Sequence, residues 1–346
     1  MHRILPLILI ATLLPATCLR EAPPPRDSSQ RVAVRAIAVP GSSAGPFTLT
    51  GAWQLTSPDW RFGGYSALAL TVPGRLLAFG DQGTWLDLPE PGLPGSAPRL
   101  GSVFARSPRL KQSRDVEAVL HDPASGRLWL ALEGRNAIAL LRPDRTLATL
   151  VRPPAMRDWP GNSGPEAAVR LADGRVLVIA EAGSGLFDRE GHPALLFGGD
   201  PGDSRTSVLA FTLRGPSGYR PTDAALLPDG RVLMLFRRLA WPFPARFAIK
   251  LALFDPAALD AGLPARAEEL IELEQPWPVD NYEGLAIEPG RNGAMTAWLI
   301  SDANGAVTQR TLLLRLSFRM ADLPPKAKGA PVAPRALANP SGEAAP

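Results

Sequence analysis

The sequence has little of what many catalytic and metal-binding sites require. Its only cysteine is Cys18, so an internal disulfide is excluded and packing must stabilise the fold. Three histidines, one of them at position 2, are too few for a histidine-rich zinc or iron site. Neither a correctly spaced G-x-S-x-G motif nor a P-loop nor a G-x-G-x-x-G motif after a strand is present. These absences argue against a serine-hydrolase elbow and against nucleotide-binding folds.

Clustered positive charge and long apolar runs are also missing. The formal net charge is +4, but the excess arginines are scattered singly and no basic run contains interleaved aromatic residues. Nucleic acid is therefore not expected as a partner. No apolar stretch is long enough to cross a bilayer, so we expect no transmembrane span.

The two ends of the chain differ in composition from the middle. A basic start and an apolar run from Ile4 to Ala16 predict a signal peptide at residues 1–18, and hence export to the periplasm or cell envelope of a bacterium. Cys18 lies at the expected cleavage point. Two outcomes are compatible with this position, a lipid anchor on Cys18 or export without an anchor. Proline-rich residues 19–31 predict a linker and residues 323–346 a disordered tail. The folded domain is therefore expected at residues 32–322.

The middle of the chain contains a repeat. Glycine and proline contribute 32 and 38 residues, which indicates many short elements and tight turns. A hairpin with a Gly-Arg turn recurs at Gly74, Gly126, Gly174 and Gly230, and a looser copy spans residues 282–302. A period of about fifty residues with several short strands predicts an all-β fold, a β-propeller.

We expect six four-stranded blades, with five or seven as alternatives. The sixth blade would join a late strand at residues 309–318 to early strands at residues 31–39 and 47–55, so that strands from both termini close the ring. A β-sandwich would not explain the spacing of the repeat.

Acidic residues recur at two positions of the repeated hairpin. Its start carries Glu117, Glu166 and Glu283, with Ser66 and Thr222 in the other two copies. Because the innermost strands of a propeller line its channel, we expect equivalent residues to converge on one axis. The second set follows the outgoing strand and consists of Asp81, Glu133, Glu181, Arg237 and Asp302. We expect this second ring at the opposite end of the hairpin.

Converging carboxylates repel one another unless a cation, an arginine or bound protons neutralise them. A calcium ion, which prefers several oxygen ligands, is the simplest neutraliser. Arg237 and Arg238 are candidates for pairing with these acids or for binding an anionic substrate group such as phosphate. The alternative is structural, with each acid capping a turn or bonding the backbone of a neighbouring blade.

Three stretches of the chain resemble the bacterial phytase-like domain family, described as having "esterase-like activity of phytase". They are RFGGYSALAL…GRLLAFGDQGTWL, NSGPEAAVRLADGRVLVIAE and DNYEGLAIEPG…LISDANGAVTQRTLLLRLSF. The D-N-x-E-G-[LI]-A motif at residues 280–286 is the most specific piece, and the likeness runs from about residue 47 to residue 318. The resemblance implies a propeller related to the calcium-dependent propeller phytases, and hence exported phosphoester hydrolysis.

The resulting prediction is an exported propeller hydrolase that acts on a small-molecule phosphoester or carboxylic ester with calcium in its channel. The expected metal ligands are Glu117, Glu166, Asp280, Asn281 and Glu283. The three glutamates and Arg237 would be catalytic, with Arg237 neutralising developing charge. The expected substrate-binding residues are Asp81, Glu133, Glu181, Arg238 and Asp302. Two alternatives remain: a non-catalytic propeller that binds a ligand or protein in the envelope, and a lactonase-type calcium-dependent hydrolase.

Overall fold

A computed structural model describes most of the predicted domain. The described residues are 28–39, 41–93, 97–104, 114–161, 163–181, 191–240, 246–303 and 309–326. The predicted signal peptide with Cys18, and the part of the predicted tail from residue 327 onward, lie outside the described residues. Within them, no helix is long and apolar enough to span a membrane.

The described residues form antiparallel sheets joined by short turns. Blade 1 consists of β4 (Tyr65–Val72), β5 (Arg75–Gly80), β6 (Thr84–Pro89) and β7 (Arg99–Ser102). Blade 2 consists of β8 (Val116–Asp122), β9 (Arg127–Leu132), β10 (Ala137–Leu141) and β11 (Leu147–Val151). Blade 3 consists of β12 (Pro165–Arg170), β13 (Val176–Ala180), β14 (Gly191–Phe197) and β15 (Val208–Arg214). Blade 4 consists of β16 (Arg220–Leu226), β17 (Val232–Ala240), β18 (Arg246–Phe254) and β19 (Ala267–Leu273).

The last blade is assembled from both ends of the described chain. Its strands, in sheet order, are β20 (Tyr282–Pro289), β21 (Ala294–Ser301), β22 (Thr311–Arg319), β3 (Phe47–Thr56) and β1 (Ala33–Ala36). A short strand, β2 (Ser43–Ala44), pairs with β3. The few helical segments are α1 (Ala257–Asp260) and single 3₁₀ turns at Glu133–Arg135, Pro154–Met156 and Met320–Asp322.

The five blades close into a ring around a central channel. The innermost strands β4, β8, β12, β16 and β20 contact one another in that order, and β20 contacts β4 again. The fold is therefore a five-bladed propeller. The predicted closure by strands from both termini is confirmed, because β3 pairs with β22.

The expectation of six blades was wrong for a simple reason. The late strand β22 and the early strand β3 do not form a blade of their own, because β22 pairs with β21 and so extends the fifth hairpin. What looked like a sixth unit is the outer half of the fifth.

The apolar strands of the repeat are buried on both faces because each blade packs between two others. In β13, Leu177 and Ile179 belong to the core between blades 3 and 4. The alternate residues Val176 and Val178 belong to the core between blades 2 and 3. Two-sided burial explains why the strand is a continuous apolar run instead of an alternating one.

The Gly-Arg turns of the hairpins need a backbone conformation that glycine tolerates. Gly174 and Gly230 have φ angles of 91° and 88°, in the left-handed region that is costly for residues with a Cβ. The arginine after Gly230 is fixed by the turn, since Arg231 Nε donates to Asp229 Oδ2 at 2.7 Å. These turns lie at the end of each inner hairpin that is remote from the predicted acids.

The first described residues run along the outer edge of blade 1. Gln30 of the predicted linker donates through Nε2 to the Leu100 carbonyl at 2.9 Å, and its Oε1 accepts from the Leu100 amide at 2.7 Å. Its own amide donates to Asp59 Oδ2 at 3.0 Å. Gln30 thus binds β7 as a further strand would, which occupies part of the open edge of blade 1.

Candidate functional site

One residue bulges out of every innermost strand, and it is the same residue of the repeat each time. The pairing register skips one position at the start of each of the five inner hairpins. These bulge residues are Ser66, Glu117, Glu166, Thr222 and Glu283. A β-bulge redirects the side chain of the extra residue. The three predicted glutamates therefore share one structural position around the channel, at the end that we call the channel mouth.

The second set of acids lies beside the bulge residues. In an antiparallel hairpin the start of one strand faces the end of the other, and Pro165 indeed pairs with Ala180, next to Glu181. One backbone hydrogen bond repeats in four blades, with amides of the second set donating to carbonyls two positions before the bulge. These pairs are Asp81 with Gly64, Glu133 with Asp115, Glu181 with Gly164, and Asp302 with Asn281. The expectation that this set lies at the opposite end was wrong, because antiparallel pairing brings both sets to the mouth.

Five carboxylates from blades 2 and 3 form two overlapping groups of three, each close enough to hold a cation. Oxygen atoms of Asp115, Glu117 and Glu133 lie within 4.8 Å of one another, and so do those of Glu133, Glu166 and Glu181. Glu133 belongs to both groups. We call these five residues the carboxylate cluster.

Asp115 was missed in the sequence although the repeat contains a signal for it. It stands two residues before the bulge residue Glu117, as Asn281 stands two residues before Glu283. Asn281 was predicted to be a ligand from the D-N-x-E-G motif. Aligning the hairpins on their bulge residues would have placed Asp115 at the equivalent position.

Glu283 lies against an arginine at the side of the carboxylate cluster. Its Oε1 pairs with Arg237 Nη1 and accepts from Asn281 Nδ2 at 2.7 Å. Arg237 Nη1 also donates to Asn281 Oδ1 at 2.8 Å, and its Nη2 lies 3.8 Å from Glu181 Oε1. Arg237 thus neutralises the blade 5 side of the mouth and links it to the cluster.

The remaining predicted residues have different surroundings. Asp280 accepts the amides of Asn281 and Arg310, at 2.9 Å and 3.2 Å, so both of its oxygens bind backbone. Asp302 is buried, next to Ser301 at the end of β21. Arg238 is exposed and stacks over the ring of Tyr219 at 4.7 Å, on the opposite face of β17 from Arg237.

Arg220 is a mouth residue that the sequence reasoning missed. Its Nη1 lies 2.9 Å from Glu181 Oε2, while 61% of its side chain is exposed. It pairs in register with Arg237, which places two guanidinium groups of blade 4 at the same level of the channel. The guanidinium groups that pair with Glu181 and Glu283 therefore both come from blade 4.

Two glutamates of the cluster, Glu117 and Glu166, are only partly neutralised by the described protein groups, since the charge of Arg237 opposes the rise in the pKa of Glu166. Burial, together with the charge of neighbouring acids, raises the pKa of Glu117 and of Glu166 well above the usual range. Within the described part of the chain, neither carboxylate receives a hydrogen bond or an ion pair. Burial also raises the pKa of Glu283, but Arg237 and Asn281 oppose that rise.

The arrangement fits a hard divalent cation. The donor set consists of carboxylate oxygens, which calcium and magnesium prefer, and it lacks the thiolate and imidazole groups that favour softer metals. Partly buried carboxylates without a partner are costly, and a bound cation removes that cost. The residues placed to hold it are the five of the carboxylate cluster.

A family model described as "Phytase-like: Esterase-like activity of phytase" matches residues 60–305. The chain belongs to the phytase-like family. The predicted resemblance is therefore confirmed, and all five bulge residues lie within the matched part of this phytase-like chain. A comparison with curated protein sequences finds no match.

Solved structures are similar to this phytase-like chain only at low identity. A gluconolactonase from Xanthomonas campestris is 14% identical with a TM-score of 0.41, over 86% of this chain and 98% of that one. A PQQ-bound aldose sugar dehydrogenase from Streptomyces coelicolor is 12% identical with a TM-score of 0.43, over 85% and 100%. Hydrazine synthase from Kuenenia stuttgartiensis is 10% identical with a TM-score of 0.38. That match covers 69% of this chain and 56% of that one, so the chain spans little more than half of its length.

A buried acid, Asp223, follows the bulge residue Thr222 in this phytase-like protein. Asp223 is 1% exposed and accepts the amides of Ala224 at 2.8 Å and Leu285 at 2.7 Å, as well as the amide of Leu68. Each donor stands two residues after the bulge residue of its blade, so equivalent amides of blades 1, 4 and 5 converge on one carboxyl group. Burial raises its pKa well above the usual range.

Only blade 4 has an acid at this position. The other blades have small residues there, which are Ala67, Ala118, Ala167 and Gly284. Small residues leave room on the axis for the carboxyl group. Asp223 therefore links the inner strands of blades 1, 4 and 5, one residue after the bulge residue Thr222.

Proposed function

We propose that the channel mouth binds a divalent cation, calcium, and that the protein uses this site to hydrolyse an ester. The carboxylate cluster supports the proposal most strongly. It groups five acids from two adjacent blades, and two of them, Glu117 and Glu166, have raised pKa values and no partner among the described residues. A cation of this kind, when bound, polarises an ester oxygen and lowers the pKa of a water molecule.

The protein residues divide the mouth into two parts. The carboxylate cluster supplies the cation ligands. Glu283 and Asn281 hold Arg237 at the blade 5 side, where its guanidinium can stabilise negative charge that develops on the ester. Asp280 binds backbone amides and so positions Asn281 and the start of β20.

The arginines of blade 4 favour an anionic substrate. Arg220 is mostly exposed, and its ion-pair partner Glu181 is a proposed cation ligand. A bound cation would therefore weaken the ion pair between Glu181 and Arg220. The freed guanidinium is then available to a phosphate group, which guanidinium groups bind in a bidentate manner. A phosphoester is therefore the proposed substrate class, and carboxylic esters and lactones are the alternatives that the assay separates.

The cation site can be tested by thermal melting of protein stripped with EDTA and then given calcium, magnesium or zinc. We expect calcium to raise the melting temperature of the wild type, and the rise to be lost in Glu117→Gln and Glu166→Gln. Glu268→Gln is the matched control, because Glu268 is exposed on β19 of blade 4. If no divalent ion shifts the wild-type transition, the cation site is refuted.

The reaction can be tested with p-nitrophenyl phosphate, p-nitrophenyl acetate and a panel of lactones. We expect calcium-dependent turnover of the phosphate ester, with the loss in Glu117→Gln exceeding that in Glu268→Gln. Calcium binding without turnover of any substrate would instead support the non-catalytic binding propeller. Turnover of lactones alone would support the lactonase-type alternative.

Export is part of the same proposal. A signal peptide at residues 1–18 would bring the protein to the periplasm, where a lipid on Cys18 would attach it to the envelope. Cell fractionation of the wild type and of Cys18→Ser tests both steps. Cytoplasmic wild-type protein would refute export, and equal release of both proteins into the soluble periplasmic fraction would refute the anchor.

A further inference from the structure

A second cavity lies at the end of the propeller remote from the mouth, between blades 2 and 3. It has a volume of about 290 Å³. Leu120, Trp129 and Val176 form its apolar floor, and Asp122, Arg170 and Asp200 form part of its polar wall. β8 runs from the mouth, where Glu117 lies, to Asp122 at the cavity, so the two sites are at opposite ends of the same strand. We call this cavity the interblade cleft.

The cleft is open at Gly199, where a larger residue would fill it. Gly174, Gly198 and Gly199 all face the cavity. A Cβ at Gly199 would have as its nearest neighbour only Thr206 Oγ1, at 3.9 Å. The space at Gly199 is therefore not taken up by close packing.

The polar groups of the cleft are held in place before any ligand binds. Arg170 Nη1 donates to the Gly174 carbonyl at 2.7 Å, and its Nε lies 3.5 Å from Asp122 Oδ1. Asp200 Oδ1 accepts the Gly202 amide at 2.8 Å. Groups fixed in this way lose little conformational entropy on binding, which favours affinity.

The charge of the cleft selects against anions. Three acids, Asp122, Asp173 and Asp200, outnumber two arginines, Arg127 and Arg170. The guanidinium of Arg170 is already bonded to protein oxygens, so a phosphate or carboxylate group would gain little from it. What the cleft does offer is a mixture of fixed donors and acceptors around an apolar floor.

We propose that the interblade cleft binds one neutral sugar unit. Each hydroxyl group of a sugar both donates and accepts, which matches alternating carboxylate and guanidinium groups. The carbon face of the ring is apolar and matches the floor at Leu120, Trp129 and Val176. A cavity of about 290 Å³ lies at the small end of ligand sites, which suits a single ring and excludes a long oligosaccharide held entirely inside.

The test uses the full-length protein with glucose and N-acetylglucosamine as probes, in saturation-transfer NMR and calorimetric titration. Inorganic phosphate and free arginine serve as an anionic and a cationic probe. Gly199→Leu fills the cleft, and Asp200→Ala removes one wall. Gly161→Leu is the matched control, because a Cβ at Gly161 would meet nothing within 4 Å.

We expect at least one of the sugars to bind, with its affinity lowered about tenfold or more in both cleft variants and unchanged in the control. Circular dichroism and the melting temperature establish that each variant is folded. The proposal is overturned if neither sugar binds, if a sugar binds equally well to folded Gly199→Leu, or if phosphate or arginine binds the cleft in preference to the sugars.

Discussion

Asp223 is the residue whose removal should affect the fold most. In Asp223→Ala, the amides of Leu68, Ala224 and Leu285 lose their acceptor inside the channel. A buried amide left without a partner costs about 1–3 kcal/mol, so the three together cost about 3–9 kcal/mol. Two effects reduce this figure, because water can enter the space left by the carboxyl group and because the desolvation cost of the acid also disappears. We expect a net loss of about 3–5 kcal/mol, a large share of the stability of an ordinary domain.

Urea unfolding followed by circular dichroism measures this loss. Asp203→Ala is the control, because Asp203 lies in an exposed loop and pairs with the exposed Arg205, a kind of contact worth about 0–1 kcal/mol. Asp223→Asn keeps the shape and one acceptor oxygen, so it should fall between Asp223→Ala and the wild type. The reasoning is refuted if the free energy of unfolding of Asp223→Ala lies within about 1 kcal/mol of the wild-type value. It is also refuted if the urea midpoint of Asp223→Ala is not below that of the control.

Three further predictions concern the channel mouth. Burial raises the pKa of Asp280 from its ordinary value of 3.8 to about 6. Asp280 is therefore deprotonated at lower pH in the unfolded chain than in the folded one, and it should account for a loss of about 3 kcal/mol of stability in metal-free protein as the pH rises from about 4 to 7. Urea midpoints in EDTA should fall less steeply over this range in Asp280→Asn than in the wild type, and equal slopes would contradict the prediction. Arg237→Met leaves the buried Glu283 charge unpaired and should destabilise the protein by about 3–5 kcal/mol in urea unfolding. Adding Glu283→Gln to the same chain should restore part of this stability, and no restoration would argue against the Arg237–Glu283 ion pair. In Gly164→Ala a Cβ would collide with Asn136 Oδ1, so its melting temperature should fall well below that of Gly161→Ala, whereas equal values would show that the mouth is loosely packed.

The repeat made much of the architecture predictable. The turn glycines recur with a fixed spacing to the strands around them, so the propeller and the shared position of Glu117, Glu166 and Glu283 both follow from the sequence. The number of blades does not, because β22 and β3 contain no Gly-Arg turn and nothing local indicates which hairpin they extend. The position of Glu181 beside the start of β12 could have been predicted from the sequence, since antiparallel geometry alone requires it.

Other features of the mouth depend on contacts between strands that are distant in the sequence. In the sequence, Asp223 is only the residue after the bulge residue Thr222. Its partners Leu68 and Leu285 can be identified only from the structure, where three inner strands meet. In the sequence, Arg220 is one of many scattered arginines. The structure shows its ion pair with Glu181, because β16 lies next to the end of β13. No pattern within a single hairpin indicates either role.

The blade built from both ends of the chain has a consequence for the order in which the molecule can form. Thr50 of β3 and Arg315 of β22 are neighbours although 265 residues separate them. When a ribosome has made the first four hairpins, β3 still lacks its late partner β22, and the apolar side chains of Phe47 and Leu49 remain without their place in the core. The ring can close only after the last strand has been synthesised, and such long-range pairing is slow compared with hairpin formation. The propeller therefore stays open until its final strand has been made, and its fifth blade is the last to be completed.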